Sequence, residues 1–184
     1  MKYLLILSCL LFTSVGWSED INIDDLVLSN QDGLFYDKFT DILFTGEVTG
    51  QAKGRINKGI KIGKWVEYRS NGQLLGRYNI KDGKLEGEQL VYFENGQVSY
   101  KGNYKDDKLE GKELEYFESG QILSQRFYKQ DKKEGEQLEY YENSQIKVKS
   151  HYKDGKLEGK QLEYFANGQL KEKHNIKDGK LEGE

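Results

Sequence analysis

The sequence predicts an all-β chain, an elongated single-layer antiparallel meander built from tandem 24-residue β-hairpin repeats. Three observations predict it. Gly63, Gly87, Gly111, Gly135, Gly159 and Gly183 recur at a spacing of 24. A second series, Asn71-Gly72, Asn95-Gly96, Ser119-Gly120, Asn143-Ser144 and Asn167-Gly168, comes after the first five of those glycines at a constant offset, and self-similarity at a fixed period of this length marks a repeat architecture. The composition agrees: 13 Tyr, 21 Gly and no Pro suit uninterrupted strand pairing with tight turns, because Pro would remove a ladder donor.

Taken in chain order, residues 1–18 read as an export signal. Lys2 supplies positive charge, Tyr3 to Phe12 an apolar run, and Gly16-Trp17-Ser18 small residues flanking a cut before Glu19. That run is too short for a spanning helix, which needs ~20 apolar residues, so no transmembrane segment is expected in the mature chain. Cys9, the single cysteine, lies inside the signal. The mature protein, periplasmic or secreted, therefore lacks a thiol although it enters an oxidising compartment.

Residues 19–43 form an N-terminal segment and cap. Its acidic start, EDINIDD, is expected to be loose, and Leu34-Phe35-Tyr36 with Ile42-Leu43-Phe44 is expected to form a capping hairpin. Residues 44–62 look like a degenerate first unit of the array, since Lys58-Gly59 matches Asp82-Gly83 in phase. Regular units then occupy 63–86, 87–110, 111–134, 135–158 and 159–182.

Within a unit, residues 88–93 (EQLVYF) form one strand and 97–104 (QVSYKGNY) its partner. Side-chain parity selects the turn. A three-residue Glu94-Asn95-Gly96 loop, with Gly96 in the left-handed region, pairs Tyr92 with Val98 and Leu90 with Tyr100 and gathers apolar residues on one face. If Ile80 and Leu85 pair across a two-residue Asp82-Gly83 turn, one bulged residue near Gly87 restores the alternation. The result is about ten strands over residues 63–182, ~4.8 Å apart. One face carries the Leu and Tyr rows. The other carries Glu115, Glu139 and Glu163 with a second aromatic row, Phe93, Phe117, Tyr141 and Phe165. Lys173 to Ile176 is expected as an edge strand, open to pairing with another chain.

The units GKWVEYRSNGQLLGRYNIKDGKLEG and GKQLEYFANGQLKEKHNIKDGKLEG resemble the bacterial variant MORN repeat, and FTGEVTG ahead of them resembles the N-terminal signature of YwqK-family antitoxins. The resemblance spans residues 33–184 and implies a repeat sheet with a protein-binding or neutralising role. The chain departs from the pattern at Ser144, which replaces a turn glycine, and at Gln130-Asp131.

The residues themselves point away from catalysis. His151 and His174 stand at non-equivalent repeat positions with no Cys to join them, too few for a triad or a zinc site. Glu86, Glu110, Glu134, Glu158 and Glu182 repeat with the fold, whereas a glycosidase needs two carboxylates in unlike environments. The Lys-Asp-Gly turns lack the ligand set of a calcium loop. Lys and Glu are interleaved at a formal net charge of −3, so no basic stripe is expected for nucleic acid. The expected function is an exported protein-interaction scaffold, antitoxin-like or immunity-like, without cofactor or metal. Its expected partner-binding residues are Phe93, Phe117, Tyr141 and Phe165, because a single layer leaves aromatic rings exposed as anchors. A structural envelope protein that binds peptidoglycan or polysaccharide is the alternative.

Overall fold

The structure, a computed structural model, describes residues 20–177, 180 and 181; the expected export signal lies outside them. Apart from one short 3-10 turn at Ile23–Asp25, the regular elements among the described residues are strands, and none of the described helical segments is long and apolar enough to cross a membrane.

Each unit is the same device. Strand Gly87–Tyr92 turns through a three-residue loop into Val98–Lys105, with Tyr92 opposite Val98. Phe93 N–H donates to Gln97 O, Gly96 N–H donates to Phe93 O, and Gly96 has φ +83°. This is a type I turn closed by a left-handed glycine, a conformation that costs glycine little. A two-residue turn comes next: Ile80 pairs with Leu85 and Lys81 with Lys84, and the motif recurs as Tyr104↔Leu109, Tyr128↔Lys133, Tyr152↔Leu157 and Ile176↔Leu181. The meander runs without crossover from Gly46–Thr49 through Ala52–Asn57 and Ile60–Tyr68 to Leu170–Lys177. Leu170–Lys177, the expected edge strand, is paired with Gly159–Tyr164 along its length and with Lys180–Leu181 at its end.

The single-residue bulge that parity demands exists, but not near Gly87. It lies just after the hairpin loop, at Ser99 and its equivalents Leu75, Leu123, Lys147 and Lys171. Beyond Ser99, Leu90 therefore faces Lys101, and Tyr100 faces Val91, which corrects the expected Leu90–Tyr100 pair. Near Gly87 the register slips by two, from Ile80↔Leu85 to Arg77↔Leu90. An even slip leaves every side chain on its own face. Gly87 and its equivalents have positive φ, so glycine is needed there for the backbone even though the parity step is elsewhere.

The Leu and Tyr rows do share a face, and the register explains how one layer covers them. A continuous ladder runs Val66, Arg77, Leu90, Lys101, Leu114, Gln125, Leu138, Lys149, Leu162, Lys173. Each leucine is flanked in register by long polar side chains, Arg, Lys or Gln, of the kind whose methylenes cover an apolar neighbour while the polar heads reach water. Glu88 pairs with Lys101 and Glu136 with Lys149, pinning two of these heads. Leu90 and Leu138 are thereby buried without a second sheet.

Among the described residues, only the N-terminal end has a thicker core. Val48, Ala52, Ile56, Trp65 and Ile80 are buried together, with Ile21, Ile23, Leu26 and Phe35 among the side chains packed on them. From Ile21 on, the acidic start is ordered rather than loose: Ile21–Asn22 pairs in parallel with Val48–Thr49. Its apolar residues, Ile21 and Ile23, find the Trp65 cluster, and that burial outweighs the charge of the segment. The expected capping hairpin forms, through a Tyr36–Leu43 bridge flanked by Asp37 N–H donating to Ile42 O at 2.9 Å and Phe44 N–H to Phe35 O at 3.0 Å, and Phe35–Asp37 also pairs with Leu26–Leu28.

Candidate functional site

The two faces of the array differ because alternation sorts residues that are mixed in sequence. In Gly111–Tyr116, Lys112 and Leu114 go to the leucine face while Glu113 and Glu115 go to the opposite one. Their partners agree: Lys112 pairs with Phe127 and Leu114 with Gln125, whereas Glu113 pairs with Arg126 and Glu115 with Ser124. The second face thus carries Glu67, Glu113, Glu115, Glu139, Glu163 and Glu172, together with Tyr100, Tyr104, Tyr128 and Tyr152. Arg126 is the one strand arginine among them. The strand lysines paired with asparagine or leucine lie on the leucine face. Interleaved charge in sequence has become one mainly basic face and one mainly acidic face.

Phe93, Phe117, Tyr141 and Phe165 fall just outside the strands, at the mouths of successive hairpin loops. Each donates its N–H across the loop mouth, Phe117 to Gln121 O, Tyr141 to Gln145 O and Phe165 to Gln169 O, all at 2.9 Å. The loops are also stitched to one another. Asn95 Nδ2 donates to Glu118 O at 2.9 Å, Asn143 Nδ2 to Ala166 O at 2.8 Å, and Gln73 Nε2 to Glu94 O at 3.0 Å. The structure therefore brings the four residues into one row along the loop edge of the sheet. Phe93, Phe117 and Tyr141 are half-buried, and Phe165 is 48% exposed. Tyr141 also spends its hydroxyl on Tyr164 O at 2.9 Å, as Arg69 in the equivalent place spends Nη2 on Tyr92 O.

A hollow of about 460 Å³ opens between two of these loops, bordered by Phe117, Leu123, Tyr140 and Tyr141, the carboxylates Glu139 and Glu142, and Lys147. The Lys147 ammonium lies 6.0 Å from the centre of the Tyr141 ring, within cation–π range.

Sequence reasoning missed the polar centre of the second face. Arg126 Nη1 reaches Glu115 at 2.8 Å and Glu113 at 3.2 Å, and Ser124 Oγ donates to Glu115 at 2.8 Å. Burial opposes the charge on Arg126, but the two carboxylates outweigh it and raise its pKa. Glu113 is only 7% exposed. Next to it Tyr100 and Tyr104 share a hydroxyl–hydroxyl bond of 2.9 Å, and burial together with that bond raises the Tyr100 pKa. The signal was present in the strict alternation Lys-Glu-Leu-Glu-Tyr of residues 112–116. His151 pairs with Glu136 and His174 with Gln161, which puts the two histidines on opposite faces. No grouping of three or more metal-ligating side chains occurs among the described residues.

The MORN repeat variant model matches residues 85–106, 109–130, 133–154 and 157–178. Each matched unit begins just after a two-residue turn and holds one loop with both of its strands, and the run from first to last spans just over half of the chain. No curated protein matches it. Repeats of this kind are in general non-enzymatic scaffolds, and the four tandem matches on hairpins of one design identify the family: the chain is a member of the MORN repeat variant family.

Proposed function

We propose that the chain is an exported scaffold that holds a protein partner against the aromatic row Phe93, Phe117, Tyr141 and Phe165, in the manner of an antitoxin or immunity factor, and that it carries out no catalysis of its own. The observation that carries this reading is the row itself. Four rings stand in register at equivalent loop mouths, loop-to-loop hydrogen bonds tie Phe93's loop to Phe117's and Tyr141's to Phe165's, and the sheet supplies no second layer to cover them. Rigid aromatic side chains at a polar rim are the residues that anchor protein interfaces. Export is supported by Lys2, the apolar run Tyr3 to Phe12 and the small residues ahead of Glu19. The FTGEVTG segment supports the antitoxin-like class.

The test is capture in cells. Crosslinking and mass spectrometry on wild type and on the Phe117→Ala, Tyr141→Ala double variant should show a protein partner lost from the variant, with circular dichroism unchanged. Capture that survives the double substitution sinks the aromatic-row reading. Retention on purified cell wall with no protein partner would favour instead a structural envelope protein that binds peptidoglycan or polysaccharide.

A further inference from the structure

On the acidic face one ladder runs Tyr100, Glu115, Ser124, Glu139, Val148, Glu163. Every second strand contributes a carboxylate, so these glutamates stand ~9.6 Å apart along the array. Two of the three are satisfied from within the chain. Glu115 holds Arg126 and Ser124, and Glu163 accepts from Lys171 Nζ at 2.7 Å. In the repeat between them both devices fail. Arg126 is replaced in register by Ser150, opposite Gln137, and Lys147, in the place of Lys171, leans over the ring of Tyr141. Among the described residues Glu139 has no hydrogen-bond or ion-pair partner, and it opens onto the hollow with Phe117 and Tyr141.

Two aromatic rings beside an unpartnered carboxylate suit a cation on a flexible stem. Arg126 already shows what such a cation does one repeat away. We infer that the partner presents an extended segment laid along the array axis, with a Lys or Arg side chain seated on Glu139 between Phe117 and Tyr141. Its next basic residue reaches Glu163, displacing Lys171 from an ion pair that is 44% and 33% exposed and so costs little to exchange. A rise of ~9.6 Å is close to one turn of a polyproline II segment, three residues at ~3.1 Å each, which returns every third side chain to the same side, so the segment adopts that extended form and carries a basic residue at every third position. Toward the N-terminal side the equivalent seat is filled by Arg126, which fixes where the register begins. This rests on the partner-binding reading above and names the chemistry of that partner.

The experiment uses two fluorescent synthetic peptides of identical composition in a Gly, Ser and Thr background, one with Arg at every third position and one with Arg at every fourth. Both are titrated with the full protein by anisotropy, alongside Glu139→Gln and, as a charge-matched control on the opposite face, Glu88→Gln. The every-third peptide should bind the more tightly. Glu139→Gln should weaken it about tenfold, and Glu88→Gln should leave it within about twofold. Equal affinity of the two peptides, or equal loss in the two variants, would overturn the inference by showing only diffuse attraction to an acidic face. If the peptides fail in this way while the Phe117, Tyr141 double variant still loses its cellular partner, the partner-binding reading stands and the basic segment alone falls.

Discussion

Gly54 and Trp65 lie in contact with nothing between them. A methyl group on Gly54 would fall 2.8 Å from Cε3 of the indole and closer still to its shared ring edge. Trp65 is fully buried, its Nε1–H donates to Ile62 O at 3.2 Å, and Lys61 Nζ sits 4.2 Å above its ring. The ring has no direction in which to retreat. Gly54→Ala should therefore destabilise the protein by about 1–3 kcal/mol through overpacking, and Trp65→Ala by about 3–5 kcal/mol through the cavity it leaves. Urea midpoints measure both. A Gly54→Ala protein as stable as wild type would mean that the cap is less tightly packed than described.

The Arg126 cluster should behave as a unit. Arg126→Ser leaves Glu113 buried beside Glu115 with no counter-charge, and breaking such a pair from one side costs about 3 kcal/mol. Adding Glu113→Gln recreates the Gln137–Ser150 pair of the next repeat and should recover stability to within about 1 kcal/mol of wild type, a coupling visible in a double-mutant cycle. Additive losses in the two single variants would contradict it.

Ser144 occupies the loop position that elsewhere belongs to glycine. Its φ is +64°, where Gly72, Gly96, Gly120 and Gly168 have +83° to +88°. A side chain in the left-handed region costs ~1–2 kcal/mol, partly offset by the lower unfolded-state entropy of serine. Ser144→Gly is expected to raise stability by about 0.5–1 kcal/mol by denaturant titration. No gain would indicate that the serine hydroxyl compensates locally.

Alkaline pH should weaken the fold. Burial raises the pKa of Tyr78, Tyr100 and Tyr128, and hydrogen bonds to Glu67 and Tyr104 push the first two further. A raised folded-state pKa contributes stability that is whole below the ordinary tyrosine value near 10 and is lost as pH climbs through the folded values. The urea midpoint should hold from about pH 8 to about pH 9.5 and fall beyond it, less steeply in Tyr100→Phe. A flat profile to about pH 11.5 would rule the contribution out.

The repeats were legible because their turns are written in residues with one conformational use: Asn-Gly and Asp-Gly tolerate the left-handed backbone, and a fixed period leaves no choice of register. Parity also required one bulge per repeat. Its position was not legible, because Ser99, Leu75, Leu123, Lys147 and Lys171 share no chemistry; the bulge is set by which neighbours pair, not by the residue that bulges. The order of Ile21–Asn22 was hidden for a related reason, since its partner Val48–Thr49 is distant in sequence and only the Trp65 cluster makes the pairing favourable. Of the candidate site, the aromatic row could be read from its period. The Glu113, Glu115 and Arg126 cluster was only half legible: the alternation of residues 112–116 puts both glutamates on one face, but Arg126 joins them only once the two strands are in register.

The bulge after each loop acts like punctuation that keeps a text in frame. Three loop residues and one bulged residue make an even count, so every hairpin hands the chain on with its faces unchanged, and a unit can be copied or deleted whole without inverting the units downstream of it. A single residue gained within a strand would instead turn the later leucines outward and the glutamates onto the leucine ladder. A residue gained beside Ser99 meets a backbone already out of step, where the error is confined to one hairpin. Length variation in this chain is thus tolerated in steps of a whole unit or at the bulge, and the sorting of charge between the two faces persists however many units are joined.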